Sequence, residues 1–116
     1  MQFPKTSENL FEMAAELGFY SKLIAQLNKD FLLANLDVVF DNSISPNYLK
    51  EKIQNIVLEL LNNDYDSYLK LLYIIDVSEY KLKRLNGGDF VVLSEQICFE
   101  ILLRVWKKVW YRNHYK

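Results

Sequence analysis

Residues 89–116 read DFVVLSEQICFEILLRVWKKVWYRNHYK, and this stretch decides the fold. With 100° of rotation per residue, the apolar side chains of a helix formed here cover roughly two-thirds of its circumference. A helix that lies on a protein surface carries a narrower apolar stripe. We therefore expect the other helices, or a second copy of the chain, to surround this one. The apolar residues are Ile97, Cys98, Phe99, Ile101, Leu102, Leu103, Val105, Trp106, Val109 and Trp110.

The length and composition fit a single domain over residues 1–116. The chain is 51% hydrophobic, so one core is feasible without disulfides or metals. The only cysteine, Cys98, falls on the apolar part of the long helix, which favours a buried thiol and a reducing compartment. No leader-like segment and no apolar run of about 20 residues is present, so we expect a soluble, cytoplasmic protein.

Charge is unevenly distributed along the chain. Residues 1–79 carry 12 acidic and 6 basic side chains, whereas residues 80–116 carry 3 acidic and 8 basic ones. The basic final helix is expected to be neutralised by the acidic helices around it. The alternative is a basic patch that remains exposed to an anionic partner. Within the final helix, Glu100 and Arg104 are spaced four residues apart, as in a helical ion pair.

Capping signals divide the rest of the chain into helices. Ser45 followed by Pro46 is a typical helix start, and Gly18 suits a left-handed helix end. Residues 38–40 are interpreted as a loop whose apolar side chains tuck beneath the helices. The predicted fold is all-α, an irregular antiparallel bundle of five or six helices. Their expected positions are Thr6 or Ser7 to Leu17, Tyr20–Asn35, Pro46 to about Leu61, Tyr65–Ile75, Val77–Leu85 and about Asp89 to Tyr111.

The segment from Asp76 to Leu93 has two interpretations. Asp76 and Glu79 are spaced as a capping box, which favours a short helix before the turn at Asn86, Gly87 and Gly88. The alternative is a β-hairpin in residues 80–93 around the same turn. Helices are preferred because an isolated two-stranded hairpin is marginally stable in water. The helix before this segment is expected to bury Tyr65, Tyr68, Leu69, Leu72 and Ile75.

No constellation for metal binding or catalysis is found. The single histidine, His114, lies near the chain end, and Cys98 lies in the core pattern. Metal centres and nucleophilic triads need clustered ligands or a positioned histidine. We therefore predict no cofactor, no metal site and no catalytic residue. An enzyme that works through carboxylates, lysines or tyrosines remains an open alternative.

The tail from Arg104 to Lys116 alternates aromatic and basic side chains and has no acidic one. Large aromatic side chains commonly anchor protein interfaces, and aromatic rings beside cations also suit single-stranded nucleic acid. Cations at a helix C-terminus also favour its dipole, so a purely structural role is a further interpretation. The candidate interface residues are Trp106, Trp110, Tyr111 and Tyr115. The candidate anion-binding residues are Lys107, Lys108, Arg112 and Lys116.

The leading functional hypothesis is a non-enzymatic interaction or scaffold protein that forms a homodimer. It follows from the 15% aromatic content and from the apolar surface of the final helix. The rival hypothesis is that the basic, aromatic tail binds nucleic acid or another anionic partner. No membrane partner is expected.

Two segments carry a resemblance to a group of bacterial proteins. They are YLKLLYIIDVSE, from Tyr68 to Glu79, and the Trp-Lys-Lys-Val-Trp sequence that ends at Trp110. In these segments the chain resembles small uncharacterised helical proteins of Bacteroidetes-type bacteria. The resemblance implies a helical fold and brings no function and no functional residues.

Overall fold

The fold is an all-α bundle, as predicted. The computed structural model describes residues 3–85 and 87–115, and 74% of them are helical. Six helices and no strand occur in these two ranges. They are α1 (Ser7–Leu17), α2 (Tyr20–Leu33), α3 (Pro46–Asn63), α4 (Tyr65–Ile75), α5 (Glu79–Leu82) and α6 (Phe90–His114).

Short-range signals set most of the helix ends. The side chains of Thr6, Ser45, Asp64 and Asp89 accept hydrogen bonds from backbone N–H groups in the first turns of α1, α3, α4 and α6. These bonds satisfy donors that have no partner within the helix. Gly18 ends α1 with φ 69°, in the left-handed conformation expected for it. Helix α2 ends at Leu33, two residues before the predicted end at Asn35.

Helix α6 lies at the centre of the bundle. It contacts α1, α2, α3 and α4, and it buries residues along most of its length. The prediction that other helices surround this one is confirmed within a single chain. Neither α6 nor any other helix in the described part of the chain is long and apolar enough to cross a membrane.

The segment between α4 and α6 contains the short helix α5 and, among its described residues, no strand, so the β-hairpin alternative is wrong. The predicted capping box is also wrong, because Asp76 ends α4 instead of starting α5. Asp76 has φ 70°, and its N–H group bonds to carbonyl groups in the last turn of α4. Ser78 caps α5, which is four residues long and buries none of them. Asn86, the first residue of the predicted turn, lies outside the described residues.

Helix α4 faces the core with a different side from the one expected. Tyr68, Leu72 and Ile75 are buried as predicted, and Leu71 joins them. The prediction was wrong for Tyr65 and Leu69, which are 56% and 47% exposed. Helix α4 contacts α2, α3 and α6, and its buried residues are Tyr68, Leu71, Leu72 and Ile75. Sequence spacing allows either face to be buried.

The loop between α2 and α3 buries Phe40 beneath the bundle, as predicted, but the prediction was wrong for Val39, which is 74% exposed. Phe40 is buried, and its ring contacts Phe31 with the centroids 5.2 Å apart. The side chain of Asn28 donates to the Phe40 carbonyl and accepts from the Phe40 N–H group. Both backbone groups of this buried residue are therefore satisfied without a strand.

Candidate functional site

Trp106 belongs to the core. It is fully buried in α6, and its ring lies 6.1 Å from the ring of Phe19. The indole Nε1 is buried and has no hydrogen-bond partner, which is an uncommon cost for a native side chain. Of the four candidate interface residues, Trp106 therefore offers no surface to a partner in this conformation.

The other three candidates form part of an aromatic cluster at the end of α6. We call Phe3, Trp110, Tyr111, His114 and Tyr115 the C-terminal aromatic cluster. The half-buried Trp110 ring stacks on the His114 ring at 4.0 Å, and the Phe3 ring meets it edge-on at 5.8 Å. Tyr111 and Tyr115 stack on each other, and 72% of Tyr115 is exposed. The cluster thus presents an aromatic surface, although many of its ring contacts are between members of the cluster.

Two of the candidate anion-binding residues, Lys108 and Arg112, bind side chains of α2. The Lys108 Nζ lies 2.9 Å from the Asp30 Oδ2, and Asp30 is buried. The Gln26 Nε2 donates to Asp30, and the Gln26 Oε1 accepts from the Arg112 guanidinium at 2.7 Å. This network joins α2 to the last turns of α6. Lys108 and Arg112 therefore already have partners within the chain.

Lys107 has a different environment. Its Nζ lies 5.0 Å from the centre of the Phe3 ring. Burial lowers the pKa of Lys107, and the nearby cations Lys81 and Arg104 lower it further. Lys116, the fourth candidate, lies outside the described residues. Of the described candidates, Lys108 and Arg112 bind side chains of α2, and Lys107 lies against the Phe3 ring.

Glu100 and Arg104 of α6 were expected to pair with each other, but each pairs with a residue outside α6. Glu100 pairs with Lys81 of α5 at 3.3 Å, and Arg104 pairs with Asp76 at 3.2 Å. These residues, together with Lys107, line a cavity of about 230 Å³ between α5 and α6. The Lys81–Glu100 pair connects α5 to α6, and the Arg104–Asp76 pair connects the end of α4 to α6. The first pair is important because α5 buries no residue of its own.

An apolar depression lies beside α4. Two cavities of about 450 and 510 Å³ share Leu69, Leu72, Glu79 and Leu82 in their walls. We call them together the α4–α5 groove. One end reaches Leu93 and Ile97 of α6, and the other reaches the residues that follow α4. Volumes of this size and an apolar lining are typical of binding sites.

The groove continues onto exposed apolar side chains. Tyr73 lines it and is 83% exposed, and the partly exposed Tyr65 and Leu69 line it as well. Sequence reasoning missed this surface because it assigned Tyr65 and Leu69 to the core. One signal was present: every residue of α4 except Asp66, Ser67 and Lys70 is Tyr, Leu or Ile. Such a helix has more apolar surface than one buried face uses.

Clustered metal ligands are not found in the described ranges, where no group of three or more His, Cys, Asp or Glu side chains could hold an ion. Cys98 is buried, its thiol donates to the Lys50 carbonyl at 3.6 Å, and burial raises its pKa to about 12. A thiol in this state is a poor nucleophile, because the thiolate is the reactive form.

Comparison of the chain with protein-family models, with curated proteins and with solved structures finds no match.

Proposed function

We propose that this chain is a non-enzymatic interaction protein that binds a protein partner through the α4–α5 groove and forms a homodimer. The observation that carries the proposal is the groove itself. It joins about 450 and 510 Å³ of apolar depression to exposed Tyr65, Leu69 and Tyr73. Exposed apolar surface that is continuous with a groove is characteristic of protein interaction sites.

The C-terminal aromatic cluster is a second candidate surface for the same function. Its support is the exposed, stacked pair of Tyr111 and Tyr115. The groove has stronger support because its exposed side chains lead into an open depression, whereas the cluster rings largely contact one another. A cytoplasmic location is proposed along with this function, on the basis of the lone buried thiol of Cys98.

Light scattering at micromolar concentrations tests the proposal. We expect a mass of twice the 13.8 kDa chain. Replacing Leu69 by Gln is expected to shift the protein toward monomer, because it places an amide in the groove. Leu32→Gln is the matched control, since Leu32 is 72% exposed on α2 and does not line the groove. A single-chain mass at all concentrations, or equal effects of the two variants, would contradict the proposal.

Binding of nucleic acid or another anionic partner by the tail is the rival proposal. It has less support, because Lys108 and Arg112 already bind Asp30 and Gln26. Titration of a labelled single-stranded oligonucleotide at low salt distinguishes the two. Binding that weakens steeply with salt, and that is lost when Lys107, Lys108, Arg112 and Lys116 are all replaced by Gln, would favour the rival.

A further inference from the structure

The exposed side of α4 has an ordered pattern. Tyr65, Leu69 and Tyr73 follow one another at four-residue spacing, so they form an apolar line along the helix about 12 Å long. We call this line the α4 stripe. Exposed Asp66 and Lys70 each follow a stripe residue by one position, so they flank the stripe on one side. Asp66 lies in the first turn of α4, and Lys70 lies about one turn further along the helix.

The α4 stripe is also a wall of the α4–α5 groove. Leu69 lines both cavities, while Tyr65 lines one of them and Tyr73 lines the other. Leu82 of α5 lines both cavities as well. A two-fold interface brings the same patch of both copies together. When the two α4 helices are antiparallel, the stripe of one copy packs along the stripe of the other, and the two grooves face each other.

We infer that the α4 stripe and the α4–α5 groove form a two-fold interface between two copies of this chain, with the two α4 helices antiparallel. The inference rests on the proposed function and specifies its partner and geometry.

Charge complementarity selects this partner and this direction. Antiparallel helices reverse the order of their residues, so Asp66 of each copy faces Lys70 of the other. In a parallel, in-register pair these residues of the two copies would lie on opposite flanks of the stripe, so the opposite charges would not meet. Opposite charges that meet across an interface fix its orientation and disfavour the alternatives.

The area required explains why the groove must take part. A stable interface of standard size covers about 800 Å² of each partner, a sizeable part of the 6933 Å² surface of this chain. A stripe of three side chains is too small to provide that area. The facing wall of the groove, with Leu82 of α5, must be covered as well.

A charge-exchange experiment tests the arrangement. Asp66→Lys and Lys70→Asp each place two like-charged pairs in the dimer, and each is expected to raise the dimer dissociation constant about tenfold. Mixing the two variants restores both opposite-charge pairs, so the mixed dimer should bind within about threefold of the wild type. Glu59→Lys is the matched control, because Glu59 is exposed on α3 and does not line the groove.

The outcomes separate this inference from the proposed function. A dimer that is weakened by Tyr115→Ser and unaffected by both α4 variants would overturn the α4 arrangement and keep the interaction function. Failure of the mixture to restore binding would overturn the antiparallel direction. A wild type that remains monomeric would overturn both proposals. Lysine in the first turn opposes the helix dipole, so Tyr73→Gln provides a test if Asp66→Lys does not fold.

Discussion

The ion pair between Asp30 and Lys108 allows a quantitative test of how α6 is held. The Lys108 Nζ lies 2.9 Å from the Asp30 Oδ2, and the exposed fractions of the two side chains are 19% for Lys108 and 4% for Asp30. Removing one partner of a buried pair costs about 3 to 5 kcal/mol, because the other charge is left buried. Because Asp30 is more deeply buried than Lys108, replacing Lys108 and replacing Asp30 should lower the free energy of unfolding by different amounts.

Lys108→Met leaves the more deeply buried charge, so we expect it to lower the free energy of unfolding by about 3 kcal/mol or more. Asp30→Asn should cost about 2 kcal/mol, because Lys108 can extend its flexible stem and bring its ammonium group to water. The Asn oxygen also keeps an acceptor for Gln26, which donates to Asp30 at 3.0 Å. In the Asp30→Asn background, Lys108→Met should cost no more than about 1 kcal/mol.

Urea unfolding followed by far-ultraviolet circular dichroism measures these differences, provided that the slope against denaturant stays the same. Lys50→Met is the control, because Lys50 pairs with an exposed carboxylate, Glu8, and its loss should cost under about 1 kcal/mol. Additive effects of Asp30→Asn and Lys108→Met, or a larger cost for Asp30→Asn, would refute the reasoning.

Three further predictions concern single positions. Gly18→Ala should lower the midpoint of thermal unfolding, because φ is 69° there and alanine costs about 1 kcal/mol in this conformation. Gly87→Ala should leave the midpoint equal or higher, because the added Cβ would lie in open space. A matching decrease in both variants would contradict this. Cys98 should not react with a thiol reagent at about pH 8 until the protein unfolds, and rapid labelling of the native protein would contradict its burial. The free energy of unfolding should fall as the pH rises from the ordinary thiol pKa of 9.0 toward about 12, because the thiol of the unfolded chain loses its proton first. The same loss of stability at alkaline pH in Cys98→Ala would contradict this. Trp106→Phe should destabilise the protein to urea much less than Trp106→Ala, which costs about 3 to 5 kcal/mol, because both variants remove the unpaired indole N–H group but only alanine leaves a large cavity. Equal costs of the two variants would contradict this.

Helix ends were predictable where the signal is local. The hydroxyl of Ser45 before Pro46 and the glycine at position 18 act on backbone groups within three or four residues. Their effect therefore does not depend on the rest of the fold. The position of α6 at the centre was predictable for a similar reason, since a helix with apolar residues over most of its circumference needs neighbours on most sides.

The face that α4 buries was not predictable in this way. Its spacing allows either Leu69 or Leu71 to point inward, and contacts with α2, α3 and α6 decide between them. The partners of charged residues also depend on these contacts. Glu100 and Arg104 were expected to pair within α6, and they pair instead with Lys81 and Asp76, which are distant in sequence.

The candidate site was therefore predicted only in part. Exposed aromatic residues at the end of α6 were expected, and Tyr111 and Tyr115 are exposed. Trp106 was included because its spacing from Trp110 fits an interface as well as a core. The α4–α5 groove arises from how α4 and α5 lie relative to each other, which residue spacing within one helix does not determine.

Amide NMR spectra recorded over a dilution series test the central claim most directly, because they report the interacting surface residue by residue. We predict that concentration-dependent shifts concentrate in residues 65–73 and 79–85, which form the α4 stripe and the facing wall of the groove. Shifts confined to residues 107–115 would assign the interaction to the C-terminal aromatic cluster. That result, or spectra that do not change with concentration, would contradict binding of a second copy through the α4–α5 groove.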